Sequence, residues 1–438
     1  MSATAVIAVE DLRVGMFIHL DVGWMSHPFP LSSFKLSSVE QIDVIRGLGL
    51  KQLRWSPDRS DADTPDVAAE APADPETAAA AASGKPVAEA ALAGQGAAEA
   101  ARSREAAWLE AQQAALRVCE RQYQEACRDL RRINDGVGAE PQQAREGAER
   151  LSQALLDKLL VEGELCVRLL AEPLSDRATA HAMNVTVVSL LLARSLSMAA
   201  PDLLDLGTGA LLHDIGKLAL PERVRLPRED FTHAEQALYR DHVAQGVLQG
   251  QRMGLKAGAL LVLAQHHEYA DGSGFPRGSK LDSQSVPARI VSMVNLYDNL
   301  CNGALPSQSL TPHEALSRMF AQSRSKFDVA ILSGFIRLMG IYPPGSVVQL
   351  SDDRYATVTA INAARPLKPR VQVYDPSRSS SRAIHLDLET TPDLGIRRSL
   401  RADQLPAAAA DCLAPRLRVA YFFDVEPVNA DSDTPALV

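Results

Sequence analysis

His213-Asp214-Ile215-Gly216-Lys217 and, further along, His266-His267-Glu268-Tyr269-Ala270-Asp271-Gly272-Ser273-Gly274-Phe275-Pro276 are the stretches on which the reading of this chain turns. Of its ten histidines, six fall between His181 and His267. The segments carrying His181, His242 and the two pairs all read as helices. Neighbouring residues on a helix point about 100° apart, so His213-Asp214 and His266-His267 can each aim two ligands at one cavity. Helices that each lend one or two ligands are how dimetal sites in bundle cores are built. Mixed imidazole and carboxylate donors suit first-row ions such as Fe, Mn or Zn, and a carboxylate such as Asp214 can bridge a pair. Two ions about 3.5–4 Å apart acidify a bridging water and stabilise the attacking and leaving oxygens of a phosphoester. His233, His313 and His385 stand outside this set and read as ordinary core or surface residues.

Working outward, residues 151–335 read as successive helices. Thr232-x-x-Glu235 and Thr311-x-x-Glu314 match capping boxes, and Pro201, Pro287 and Pro312 suit first helical turns. Upstream, Leu109, Leu116, Tyr123 and Leu130 recur every seven residues, with Cys119, Ala126 and Ile133 three residues after the later members. That irregular heptad seam either packs the helix on its own domain or forms a dimerising coiled coil. Short β-rich runs follow position 341, at 346–350, 355–361 and 370–374. At the other end, residues 12–18 read as a strand and 39–48 as an amphipathic helix, around a core of Trp24, Phe29, Phe34 and Trp55. The Ala-rich stretch from about 60 to 101 carries Pro, Gly and acidic residues and reads as a mobile linker. The fold class is therefore mainly α. Residues 1–57 form a small α+β domain, 58–101 a linker, 102–170 a helical connector, 171–340 a helical metal domain, and 341–438 a short β-rich appendage and tail.

Composition removes other classes. With 54 acidic and 45 basic residues in 438, the net charge is −9, which offers no basic field to duplex nucleic acid. No apolar run is long enough for a transmembrane helix. The first ten residues lack the basic start and apolar stretch of a signal peptide. Five cysteines without a C-x-x-C pair suit a reducing cytoplasm better than a disulfide framework. Gly272–Gly278 contains G-x-G, yet Pro276 stands where a dinucleotide fingerprint should open a helix. Beside a metal centre, such a loop lets backbone approach a phosphate or base closely.

The ordered set His181, His213-Asp214-x-Gly-Lys217, His242, His266-His267-Glu268 and Asp271-Gly272-Ser273-Gly274-Phe275-Pro276 resembles the signature of an HD-GYP domain, with Gly274-Phe275-Pro276 in the place of Gly-Tyr-Pro. Ala288-Arg289-Ile290 and Tyr297-Asp298 resemble its following helix. The resemblance covers roughly 171–340, and residues 1–57 look like a small uncharacterised domain often found ahead of it. It implies an HD-type helical bundle with two divalent first-row metal ions, Fe, Mn or similar, and cyclic di-GMP as substrate. It also implies His181, His213, Asp214, His242, His266, His267 and Asn295 as metal ligands, with Asp214 bridging. Metal-bound hydroxide would attack phosphorus to give pGpG, with GMP as a further product. Lys217 would face the phosphate or protonate the leaving oxygen. Gly274, Phe275, Pro276, Arg277 and Lys280 would contact substrate. The setting implied is bacterial second-messenger signalling, with a homodimer through 102–170 or a signalling protein as partners left open.

Three departures from the pattern bear on activity. Asn295 stands where the family has its final ligating Asp and brings no negative charge. Asn302-Gly303-Ala304-Leu305 lacks an expected phosphate-binding Arg. Arg177, beside Asp176, replaces the carboxylate that would hold a third metal, which disfavours a trinuclear site. The alternatives are thus a degenerate module that binds cyclic di-GMP or a protein without turnover, and a dimetal hydrolase of another phosphoester.

Overall fold

The computed structural model describes residues 4–20, 33–36, 39–47, 50–60, 86–170, 176–228, 230–305, 308–377, 383–391 and 393–426. The chain divides into two compact units, with the boundary between Ala115 and Leu116 inside a long helix. In the first unit, β1 (Ala5–Ala8), β2 (Phe17–His19), β3 (Ser33–Lys35), α1 (Val39–Gly47) and β4 (Gln52–Trp55) make an antiparallel sheet of order β1-β4-β2-β3 with one helix. The strand expected over 12–18 starts only at Phe17, because Gly15 takes φ +92° and turns the chain just before it. Among the described residues the buried core is aliphatic: Val9, Leu12, Ile18, Leu36, Ile45 and Leu53 are buried, whereas Phe34 and Trp55 are half-buried. Trp24 and Phe29 lie outside the described residues. α2 (Pro86–Gly136) begins within the stretch expected to be a linker. Proline suits a first turn and alanine is the strongest helix former, so Ala-rich composition there favours helix over coil.

The second unit continues α2 and adds α3 (Pro141–Leu159), β5 (Glu164–Leu169), α4 (Arg177–Ser195), α5 (Ala200–Leu212), α6 (His233–Arg240), α7 (His242–Met253), α8 (Ala257–Gln265), α9 (Val286–Cys301), α10 (Pro312–Gln322) and α11 (Val329–Met339). Then come β6 (Val347–Leu350), β7 (Tyr355–Asn362), β8 (Arg370–Tyr374), β9 (Ile384–Asp387), β10 (Ile396–Leu400), α12 (Ala407–Leu413) and β11 (Tyr421–Glu426). Start signals act as expected: both capping boxes form, at α6 and α10, and Pro201, Pro287 and Pro312 sit in first turns. α4 is the centre of the helical layer. Met183 to Ala193 are all buried, because α5, α9 and α11 cover it. α5 in turn packs on α3 and α8. No helix among the described residues is long and apolar enough to cross a membrane.

The strands form one antiparallel sheet, β10-β6-β7-β5-β11, with β8 pairing β7 and β9. This corrects two expectations. The connector over 102–170 is not wholly helical, since it ends in β5, and the β-rich end is not a separate appendage, since β5 completes its sheet. β11 pairs with β5 from Tyr421↔Leu169 to Glu426↔Glu164, so the strand that precedes α4 lies beside the last described strand of the chain. A short, nearly continuous apolar run such as ELCVRL cannot be told from a helix segment by periodicity, and its last four residues are all buried. The heptad seam from Cys119 onward is covered by the chain itself. Tyr123 meets Phe422 edge-on at 6.1 Å, and Cys119 Sγ lies 3.5 Å from Phe423 O.

Ion pairs lock the strand pairing. Arg168 on β5 gives Nε and Nη2 to Asp424, both at 2.9 Å, and Nη2 to Glu426 at 2.8 Å. Its side chain is only 6% exposed. Cys166, Asp424 and Glu426 are close enough to hold a metal, but Arg168 and Arg370 occupy these carboxylates, so the cluster is an ion-pair network. Arg168→Ala leaves Glu426 its partner Arg370 but strips Asp424 of its bidentate one. Breaking a buried pair costs about 3–5 kcal/mol, and urea denaturation should show a loss of that order. A loss below about 1 kcal/mol, the worth of an exposed pair, would contradict this account.

Candidate metal centre

The site begins with how two helices end. α5 stops at Leu212, leaving His213 as its cap and Asp214 at φ −99°, ψ 8° before the tight turn Ile215–Ala219. Gly216 makes that turn fit. A Cβ there would lie 1.9 Å from His242 O and 2.4 Å from Gly246 N, so the turn rests directly on the first turn of α7. α8 likewise stops at Gln265, with His266 as its cap and His267 just beyond. Both ligand pairs were expected inside helices. They sit instead at helix C-terminal ends, where the backbone has begun to turn and can splay adjacent side chains. His181 within α4 and His242 at the start of α7 agree with expectation.

These ends converge on one carboxylate. Asp214 Oδ2 lies 3.7 Å from His181 Nε2 and 3.4 Å from His213 Nε2, while Oδ1 lies 3.5 Å from His242 Nε2 and 3.8 Å from His266 Nε2. His267 joins the second group. The donor atoms thus form two clusters that share Asp214: His181 with His213, and His242 with His266 and His267. His213, His242 and His266 are fully buried.

Each imidazole is aimed by its other nitrogen. Nδ1 donates to Ala210 O from His213 (2.8 Å), to Tyr239 O from His242 (2.6 Å), to Leu263 O from His266 (2.9 Å) and to Asp298 Oδ2 from His181 (2.6 Å). With Nδ1 protonated, the neutral ring presents a lone pair at Nε2. Yet the Nε2 atoms of His181 and His213 face each other at 3.2 Å, as do those of His242 and His266. Two lone pairs at that distance cannot hydrogen-bond. Asp214 Oδ1 and His267 Nε2 are also buried without a hydrogen-bond partner. Such a donor set is satisfied by cations, and its mixed N and O character suits first-row divalent ions. The residues present therefore fit metal binding.

Lys217 lies in the same site, Nζ to Asp214 Oδ2 at 2.6 Å, with its ammonium 5.4 Å from the Tyr239 ring centre. Burial opposes both charges, but Lys217 and His213 hold the Asp214 carboxyl well below its usual range, and Asp214 and Tyr239 raise Lys217. Tyr239, which sequence reasoning did not single out, also packs its ring 5.0 Å from that of His242. Its position just before a helix-starting histidine carries no recognisable signal.

Asn295 is buried on α9, where its Oδ1 accepts from Asn299 Nδ2 at 2.7 Å. From the same helix it is Asp298 that touches a ligand, and two amides hold it. Asn184 and Asn302 donate to Asp298 Oδ1 at 2.7 and 2.9 Å, and both also donate to Val419 O. Neither asparagine was read as functional, because their role depends on a strand far away in sequence. The glycine-rich loop lies against His267. A Cβ on Gly274 would meet His267 O at 2.4 Å, and the Phe275 ring stacks on His267 at 4.4 Å. Glu268, buried beside the ligands, pins the loop by accepting from Arg277 N and Ser279 N at 2.7 and 2.8 Å. Pro276, Arg277 and Lys280 are exposed. His313 lies elsewhere, 2.8 Å from Ile341 O, and His233 is exposed at the start of α6.

Comparison with known proteins matches residues 165–331 to the HD domain family and residues 5–148 to a domain of unknown function, DUF3391. A cyclic di-GMP phosphodiesterase of Pseudomonas aeruginosa is 29% identical over 381 residues, covering 85% of this chain and 86% of that protein. The cyclic di-GMP phosphodiesterase response regulator RpfG of Xanthomonas campestris is 31% identical over 34% of this chain and 40% of its own length. A 3′3′-cGAMP-specific phosphodiesterase of Vibrio cholerae is 27% identical over 39% of this chain and 37% of its own.

The buried histidines give the metal-free protein a pH signature. Burial pushes His242 down to about 4, against the pull of Asp214, and drives His266 and His267 well below their ordinary value, with neighbouring histidines adding to the effect. An unfolded histidine takes a proton near about 6.5, which folded His242 refuses until about 4. The unfolded state therefore binds more protons across that window, and stability falls as pH drops through it. Each such histidine contributes about 1.4 kcal/mol per pH unit. Denaturation of metal-stripped protein should show a loss of about 2 kcal/mol or more between pH 7 and pH 5. Equal stability at both would contradict neutral, desolvated rings.

Proposed function

We propose that this chain, whose residues 165–331 match the HD domain family, is a phosphodiesterase of the HD-GYP type that hydrolyses cyclic di-GMP to linear pGpG. The observation that carries this reading is Asp214, whose two oxygens each face their own histidine group. Two ions, iron or manganese, match the donors: one at His181 and His213, the other at His242, His266 and His267, with Asp214 common to both. When bound, such ions supply Lewis acidity toward phosphate oxygens and the attacking water.

The chain's own groups do the rest. The Nδ1 hydrogen bonds keep every ligand ring in one tautomer and orientation. As the oxygen of water bonds to phosphorus and the bond to the 3′-oxygen breaks, Lys217 gives that oxygen a proton, and the proton lost by the water restores Lys217. The product retains one phosphodiester, so a second round on pGpG gives GMP. We assign the loop of Gly274, Phe275 and Pro276 to the substrate base, with Arg277 and Lys280 at its phosphates. Asn295 would be a further ligand through its amide oxygen, which also accepts from Asn299. That all five histidines, Asp214 and Lys217 gather in one site favours turnover over a binding-only module.

The test uses protein reconstituted anaerobically with Fe(II) or Mn(II), offered cyclic di-GMP or 3′3′-cGAMP, with products separated by chromatography. pGpG from cyclic di-GMP is the expected product, and preference for 3′3′-cGAMP would overturn the substrate assignment. Asp214→Ala should lose metal and hydrolysis together, and full activity without metal would sink the mechanism. Lys217→Ala should keep its metal while slowing by about 10²–10⁴-fold, as loss of a positioned acid does. Metal loss in that variant would remove its proton-donor role. Asn295→Asp should bind metal more tightly at low concentration, whereas identical titrations would place Asn295 outside the ligand set.

A further inference from the structure

Arg177 is the first residue of α4, and His181 follows one helical turn later on the same face. Its Nη2 donates to Asn302 O at 2.9 Å, across to the end of α9, where Asn302-Gly303-Ala304-Leu305 supplies no cation of its own. Its Nη1 is buried and has no hydrogen-bond partner. The charged and titratable groups around it are Asp298, which holds His181, Tyr239, which packs on His242, and Arg418. Asp298 is already committed to His181, Asn184 and Asn302. Arg418 adds positive charge rather than relieving it. A buried N–H left idle on this half-buried guanidinium is costly, and the repulsion from Arg418 increases the cost. Phosphate is the group that resolves this arrangement, because its oxygens accept from the guanidinium fork and neutralise both cations.

We propose that Arg177 is a substrate-binding residue that grips a phosphate of the bound dinucleotide on the His181 side of the metal centre. Hydrogen-bonding to Asn302 O fixes the guanidinium plane, and Nη1 still lacks an acceptor, which the phosphate would supply. The position that sequence reading marked only as the loss of a third metal carboxylate thus becomes a phosphate contact. The inference rests on the phosphodiesterase reading for the identity of its substrate, but not for the phosphate itself.

The experiment compares metal-loaded full-length wild type, Arg177→Gln and Arg177→Ala. Gln keeps a donor for Asn302 O while removing the charge. Three quantities are read: kcat and KM for cyclic di-GMP, calorimetric affinity for inorganic phosphate, and bound metal with Tm. Both variants should raise KM and weaken phosphate binding by about ten- to a hundredfold, the worth of one charge-assisted contact, with metal content unchanged and a smaller effect on kcat. If wild type fails to turn over cyclic di-GMP, the substrate reading fails, and phosphate affinity still decides the role of Arg177. Unchanged KM and phosphate affinity in Arg177→Gln overturn the proposal. So does loss of metal or Tm without a change in either affinity, since that marks Arg177 as a structural tie between α4 and Asn302.

Discussion

One carboxylate shared by two sets of imidazoles is the constraint from which the rest of the helical unit follows. Asp214 can face both groups only if α5 ends at Leu212, the next turn lies flat on the start of α7, and α8 ends beside it. Gly216 enforces the middle condition, since no side chain fits between that turn and His242. The electrostatics are unfavourable without a ligand: paired lone pairs at 3.2 Å and an unpartnered carboxylate oxygen concentrate negative potential in a buried space. Lys217 offsets part of it from one side only. A fold that maintains such a centre does so through partners outside it.

Those partners reach into the sheet. His181 is oriented by Asp298, Asp298 by Asn184 and Asn302, and both amides by the backbone at the edge of β11: Val419 N donates to Asn302 Oδ1 and Tyr421 N to Asn184 Oδ1, each within about 3 Å. β11 is fixed by β5 through six paired residues and the Arg168 ion pairs. The final strand is therefore a support for His181, which gives the β-rich end a role in the candidate site. Its distance in sequence, and the need for β5 to complete it, explain why that role is invisible along the chain.

How much could be read in advance follows from the range of each interaction. The histidine set, Asp214 and Lys217 were legible because their chemistry is carried by residue type and spacing, and all of them meet in one place. Capping boxes and first-turn prolines were legible because they act within four residues. Helix ends at His213 and His266 were not, since the apolar pattern runs up to both and only packing against α7 makes the turns favourable. β5 was missed because six apolar-rich residues serve a helix or a strand equally. The first unit has the helix expected over 39–48, as α1, but the aromatic residues named for its core are half-buried at Phe34 and Trp55, and its buried described residues are mostly aliphatic. Asp298 could be noticed, but its task, holding His181 rather than a metal, needed the fold.

The central claim is that Asp214 joins two metal positions rather than completing one. Anaerobic titration of metal-stripped protein with Mn(II), followed by calorimetry and by electron paramagnetic resonance, tests it directly. The account predicts two ions per chain and a magnetically coupled pair at saturation. Saturation at one ion, with an isolated Mn(II) spectrum, would contradict it.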